Sequence, residues 1–187
     1  MRILAIDTAT EGCSVCLWQD GESLSRMEVQ PRKHAELILP MIDEVLAEAD
    51  IKLNQVDSLA FGRGPGAFTG VRIATGVIQG IAYGADLPVV PVSTLRALAQ
   101  RAYTEYQATK VLSAFDARMD EVYFGAFELD PDALMQPVID EMVIKPDALE
   151  INLNGSGPIG STWVGSGSGW AGYETQLRNS IAMELRQ

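Results

Sequence analysis

Apolar and polar positions follow two periods along this chain, and the switches between them predict its elements. Residues 3–6 form a short apolar strand that ends at Asp7, and after Thr8, Ala9, Thr10, Glu11 and Gly12 a second strand runs through Val15 and Leu17 to Trp18. Asp20-Gly21 marks a hairpin turn, with a third strand over 22–30. From 34 to 50 the spacing becomes helical: Leu37, Ile38, Met41, Ile42, Val45 and Leu46 are apolar, while Asp43, Glu44 and Glu48 are polar. Pro40 lies inside this helix and predicts a bend. The apolar positions cover more than one stripe, so the helix is either deeply buried or shared with a partner, and its early place in a small domain favours the partner.

A strand over 56–61 then enters a glycine loop, Gly62-Arg63-Gly64-Pro65-Gly66-Ala67-Phe68-Thr69-Gly70. Glycine admits positive φ and close backbone approach, Pro65 stiffens the turn, and Thr69 is placed to cap a helix that runs to about residue 84. The spacing is not Gly-x-Gly-x-x-Gly, and no Gly-Lys-Ser/Thr follows, so neither common phosphate fingerprint is present. The helix itself carries Gly70, Ala74, Gly76, Gly80, Ala82 and Gly84 among Val71, Ile73, Val77, Ile78 and Ile81. Each glycine costs a helix about 1 kcal/mol relative to alanine, so the recurrence needs a reason. Two are open: tight packing on its own sheet, or a second helix lying against it from another chain.

Prolines 88 and 91 suit an edge strand over 87–92, and Ser93 caps a helix to about residue 103. A polar crossover at 104–108 divides the chain into a first lobe, 1–104, and a second, 105–187. The division has internal support, because residues 3–15 can be laid over 111–123: each is strand, Asp, short turn, strand, with Asp7 and Asp116 in matching places. Further strands are expected over 138–144 and 162–164. A short helix follows Pro146, a loop spans 154–160, and a last helix starts near Ala171, after a second glycine loop containing Gly165 and Gly167. Asp7 with Thr8 and Thr10, Asp116, and this second loop are the candidate nucleotide cleft, able in principle to hold magnesium and phosphate oxygens. Ordinary turn chemistry explains the same residues.

Composition narrows the function. With 187 residues, 47% hydrophobic and 21% charged, the chain is long enough for a sizeable core. Its net charge of -11 argues against holding nucleic acid or an anionic membrane unaided. Cys13 and Cys16, three apart on a strand, face opposite sides and read as buried fillers. His34 is the single histidine, so no metal site is assigned. The absence of a long apolar run or a signal-type start places the protein in the cytoplasm as an expectation.

Four segments taken together carry a family resemblance: Ile3-Leu4-Ala5-Ile6-Asp7-Thr8-Ala9-Thr10, His34-Ala35-Glu36-Leu37 with Leu39-Pro40-Met41-Ile42, Gly64-Pro65-Gly66-Ala67-Phe68-Thr69-Gly70-Val71-Arg72-Ile73, and Asp116-Ala117-Arg118-Met119-Asp120-Glu121-Val122-Tyr123. In this order they resemble the bacterial TsaB (YeaZ) family. The resemblance implies an α/β fold of the actin-like, Hsp70-like and sugar-kinase-like (ASKHA, RNase H-like) kind, two duplicated lobes with mixed sheets. It implies a non-catalytic part in making N6-threonylcarbamoyladenosine at position 37 of tRNAs that read codons beginning with A. TsaD, a paralogue, transfers the threonylcarbamoyl group; TsaE joins the two, and an isolated TsaB pairs with itself.

The family's partner surface corresponds to Leu37, Ile38, Met41, Ile42 and Val45 on one helix and Ile73, Ala74, Val77 and Ile81 on the other, with Gly64, Gly66, Thr69 and Gly70 as the structural loop. No cofactor is required, ATP or ADP with magnesium at the subunit interface of the full complex being the one candidate. TsaD carries a His-x-x-x-His metal motif, whereas His34 is followed four positions on by Ile38. Family members usually continue some tens of residues further, so the resemblance implies either a shortened copy or a sequence that covers only an ordered portion. A weak ATPase acting alone is the competing reading; a peptidase lacks a paired nucleophile here.

Overall fold

The computed structural model describes residues 1–151, 153, 162–181 and 185–186, and the chain divides into two compact units, Met1–Thr94 and Leu95–Gln187. In the first, β1 (Arg2–Asp7), β2 (Cys13–Gln19) and β3 (Glu22–Glu28) form an antiparallel meander, followed by α1 (His34–Glu48), β4 (Ser58–Gly62), α2 (Phe68–Ala85) and β5 (Val89–Val92). The sheet order is β3-β2-β1-β4-β5, with β1 antiparallel to β2 and parallel to β4. Asp20 and Gly21, both at positive φ, make the expected β2–β3 turn. β5 is an edge strand, which is where Pro91 is tolerated.

The second unit starts with nearly all of α3 (Thr94–Tyr106), then β6 (Lys110–Arg118), β7 (Glu121–Leu129), β8 (Met135–Pro137), β9 (Met142–Ile144), β10 (Trp163–Ser166), α4 (Ser168–Ser180) and β11 (Leu185–Arg186). Its sheet order is β11-β10-β6-β7-β8, with β9 also on β7. β6 is antiparallel to β7 and parallel to β10, as β1 is to β2 and β4. The repeat legible in thirteen aligned positions is therefore a repeat of sheet topology, and the two-lobe α/β fold stands.

Three expectations shift. The division falls ahead of α3 rather than after residue 104, because Leu95, Ala99 and Ala102 of that helix pack with Val111, Phe127 and Met135. The strand expected over 138–144 is two short strands: β7 is long enough to pair β8 at Phe127–Leu129 and β9 at Val122–Phe124. After Pro146 there is one 3-10 turn, Pro146–Ala148, and Ile151 instead bridges Ile181. The loop expected over 154–160 lies outside the described residues. Among the described residues no helix is long and apolar enough to cross a membrane.

The largest correction concerns α1. Ile38, Met41, Ile42 and Val45, expected on a partner surface, are buried with Leu4, Ile6, Val15, Leu17 and Leu59 in the first unit's core, and Leu37 is partly buried against it. A helix apolar on two sides can be satisfied by its own sheet on one side and a neighbouring helix on another, and α1 lies against both β2 and α2. Ile38→Ala should therefore lower stability by about 2–5 kcal/mol, the range for emptying a packed aliphatic site. Urea denaturation of the protein at low concentration reads this as a lower midpoint at unchanged slope.

Candidate functional site

The first half of the expected nucleotide cleft is built from the end of β1 and the glycine loop after β4. Asp7 Oδ1 accepts the Ala9 N–H at 2.9 Å, and the buried Thr8 hydroxyl donates to the Gly70 carbonyl at 2.7 Å. The Ala67 N–H donates to the Ala9 carbonyl at 2.7 Å, and the Gly12 N–H to Thr10 Oγ1 at 3.3 Å. A Cβ on Gly66 would lie 2.3 Å from the Ala9 oxygen, and one on Gly70 1.9 Å from the Thr8 oxygen. These glycines are needed because the loop lies directly on the strand end. The Thr8 hydroxyl and the Ala9, Gly12 and Ala67 amides are engaged within the chain.

Thr69 does not cap α2. The helix starts at Phe68 behind Ala67, with no side-chain cap, and Thr69 is exposed in the first turn. The loop is secured from elsewhere: the Thr94 N–H donates to the Gly64 carbonyl at 3.0 Å, and its hydroxyl donates to the Pro65 carbonyl. Gly64 itself has φ of +93°, a conformation only glycine holds without strain.

In the second unit Asp116 repeats the local turn of Asp7. Its Oδ1 accepts the Arg118 N–H at 2.8 Å and its Oδ2 pairs with the Arg118 guanidinium at 3.3 Å. The room beside the second glycine loop is also filled by the chain, since a Cβ on Gly165 would meet the Trp170 indole at 2.7 Å and one on Gly167 the Ala114 carbonyl at 2.3 Å. These contacts account for both glycines by packing.

Burial pushes the Asp7 carboxyl above its ordinary range, opposed in part by the Ala9 N–H and by nearby His34. His34 Nε2 lies 3.1 Å from the Thr10 carbonyl, which can only accept, so that nitrogen is the donor. Burial, then the Asp7 and Glu28 carboxylates, push the Cys13 thiol up, and burial raises Cys16, so neither is activated as a thiolate. Among the described residues no three His, Cys, Asp or Glu side chains gather as a metal site.

What stays open is one face of α2. Gly70, Ala74 and Ile78 are its buried ridge, and Ile73, Val77 and Ile81 are half-buried flanks packed on the core, so the aliphatic residues expected at the interface mostly face inward. The opposite ridge is Phe68, Arg72, Gly76, Gly80 and Gly84, recurring every fourth residue. A Cβ on Gly76, Gly80 or Gly84 would touch nothing within 4 Å. Phe68 is 72% exposed with the Arg72 guanidinium 3.3 Å over its ring, and Tyr83 beside the ridge is 93% exposed. Phe68, Arg72 and Tyr83 were missed in the sequence, although the four-residue recurrence of the glycines pointed to their ridge.

Residues 27–184 match the family profile of TsaD, tRNA N6-adenosine threonylcarbamoyltransferase. The tRNA threonylcarbamoyladenosine biosynthesis protein TsaB of Escherichia coli (strain K12) is 45% identical over 173 residues, 92% of this chain and 74% of that protein. TsaB of Haemophilus influenzae is 45% identical over 180 residues, with the same two coverages, 92% and 74%. Of solved structures, YeaZ from Pseudomonas aeruginosa has a TM-score of 0.87 at 48% identity over 94% of this chain and 79% of its own. A protein described as similar to peptidase YEAZ from Pseudomonas aeruginosa has a TM-score of 0.89 at 46% identity, covering 98% and 81%.

Two substitutions test the sealed strand end. Because the folded-state pKa of Asp7 is raised, its contribution to stability is full below the unfolded value and is lost as pH rises through the folded one. Asp7→Asn keeps an acceptor for Ala9 and should melt higher than the parent at pH 7, the gain disappearing by about pH 4. Gly70→Ala should cost about 1–3 kcal/mol through overpacking against the Thr8 carbonyl, measured by thermal or urea unfolding.

Proposed function

Because the chain belongs to the TsaB (YeaZ) family, we propose that it is the non-catalytic subunit of the machinery that makes N6-threonylcarbamoyladenosine at position 37 of tRNAs reading codons that begin with A. It pairs with TsaD and activates it, and TsaE joins the pair. The observation that carries this reading is the open ridge of α2, where three glycines let another helix approach closely between exposed Phe68, Arg72 and Tyr83. Helices meeting at small residues gain dispersion contacts along their whole length, and aromatic and arginine side chains at the ends of such a patch are the residue types that anchor protein interfaces. In isolation the same ridge serves a second copy of the chain, which competes with TsaD.

The chemistry belongs to the partner. Ile38 stands where a His-x-x-x-His pair would place its second ligand, and it is a core residue. Asp7 gives one carboxylate oxygen and Asp116 both to its own turn, and the Thr8 hydroxyl and Ala67 amide beside Asp7 are committed within the chain, which counts against a magnesium-phosphate group there. A nucleotide at the subunit interface of the full complex therefore takes its phosphate contacts from another subunit. The charge of -11 speaks against this subunit holding the tRNA itself.

Gly80→Arg tests the reading without threatening the fold, because arginine is the better helix former and the site is open. Light scattering after gel filtration should show a homodimer and a TsaD complex for the parent, and a monomer with at least tenfold weaker TsaD binding for the variant. Reconstituted threonylcarbamoyladenosine formation should fall to the level of TsaD alone. Unchanged masses and activity would sink the assignment, and a stoichiometric heat on titrating the isolated protein with ATP and magnesium would favour the lone-ATPase reading.

A further inference from the structure

The hairpin joining β6 and β7 turns through a conformation that its residues disfavour. Arg118, Met119 and Asp120 have φ of 69°, 54° and 59°, and the strand register shifts between Asp116 and Arg118. Positive φ presses the Cβ of an L-residue against its own backbone, which is a steric cost at each such residue. Two-residue hairpin loops with positive φ at both positions are normally served by Asn-Gly or Asp-Gly. The chain uses that solution at Asp20-Gly21, the β2–β3 turn. At the β6–β7 tip it places a methionine, whose side chain is 89% exposed. An apolar group in water on an opposed backbone gives the free chain nothing, and strain of this kind is retained where it serves a site.

The tip is held in place. Asp116 accepts the Arg118 N–H and pairs with its guanidinium, while the Asp116 N–H donates to the Ser168 hydroxyl at 3.3 Å, at the start of α4. Arg118 is thereby matched in charge by Asp116, and Met119 is followed directly by two acidic residues, Asp120 and Glu121. That acidic excess repels a phosphate backbone and suits a protein pocket with basic side chains at its rim. A thioether is flexible and polarisable enough to fill such a pocket.

We infer that the tip at 118–120 is a second protein-docking element, with Met119 inserting into an apolar, base-rimmed pocket of the partner subunit. This rests on the proposed pairing with TsaD, which is the probe. Hydrogen peroxide transfers one oxygen to an exposed thioether, giving sulfoxide and water, and mass spectrometry reads the rate at each methionine. In the free protein Met119 and Met27, the latter 66% exposed, should both oxidise readily. Saturating TsaD should slow Met119 at least tenfold and leave Met27 unchanged. A complex in which Met119 oxidises at its free rate overturns this inference alone, whereas failure of any complex to form overturns it together with the proposed function. Protection by tRNA without TsaD also overturns it. The double variant Met119→Asn, Asp120→Gly should melt higher than the parent and bind TsaD at least tenfold more weakly; no gain in melting temperature, or unchanged binding, contradicts the inference.

Discussion

The first unit depends on a backbone-to-backbone contact, the laying of the glycine loop onto the end of β1. Gly66 and Gly70 approach the Ala9 and Thr8 carbonyls so closely that no side chain fits between them, and the Thr8 hydroxyl and the Ala67 amide close the contact with hydrogen bonds. This fixes where α2 starts and which way it is turned. With Gly70, Ala74 and Ile78 committed to the sheet, the ridge through Phe68, Gly76 and Gly80 must face outward. Closing the strand end and presenting the helix are two consequences of one arrangement.

The second unit repeats the plan with different details. Asp116 makes the same short turn as Asp7, on a strand with the same antiparallel and parallel neighbours. The glycines of its loop are filled by Trp170 and Ala114 rather than by a strand-end carbonyl pair. A duplicated framework has kept its acids as turn-formers in both halves. What differs between the halves is how each loop is packed against its strand.

Much of this was legible from residue order because the signals were local. Strand, Asp, turn and strand recur in both halves, Asp20-Gly21 names its own hairpin, and helical glycines at 76, 80 and 84 announce close approach. The burial of α1 was not legible, since Ile38, Met41, Ile42 and Val45 give the same pattern whether a sheet or another protein covers them. Nor was the capping of α2: Thr69 has the right side chain one position too late, and Thr94, distant in sequence, secures the loop instead. The allegiance of α3 is likewise a matter of long-range packing by Leu95, Ala99 and Ala102. Ile38, Met41, Ile42 and Val45 lie in the chain's own core, where hydrophobicity marks burial in the monomer as readily as contact with a partner.

Hydroxyl-radical footprinting of the protein across the proposed monomer–dimer transition tests this most directly, because it reports side chains on both helices in one experiment. The account predicts that Phe68 and Tyr83 are labelled in the monomer and protected in the dimer, while Ile38, Met41 and Val45 stay unlabelled in both. Phe68 and Tyr83 remaining fully labelled in the dimer, with α1 side chains labelled only in the monomer, would contradict it.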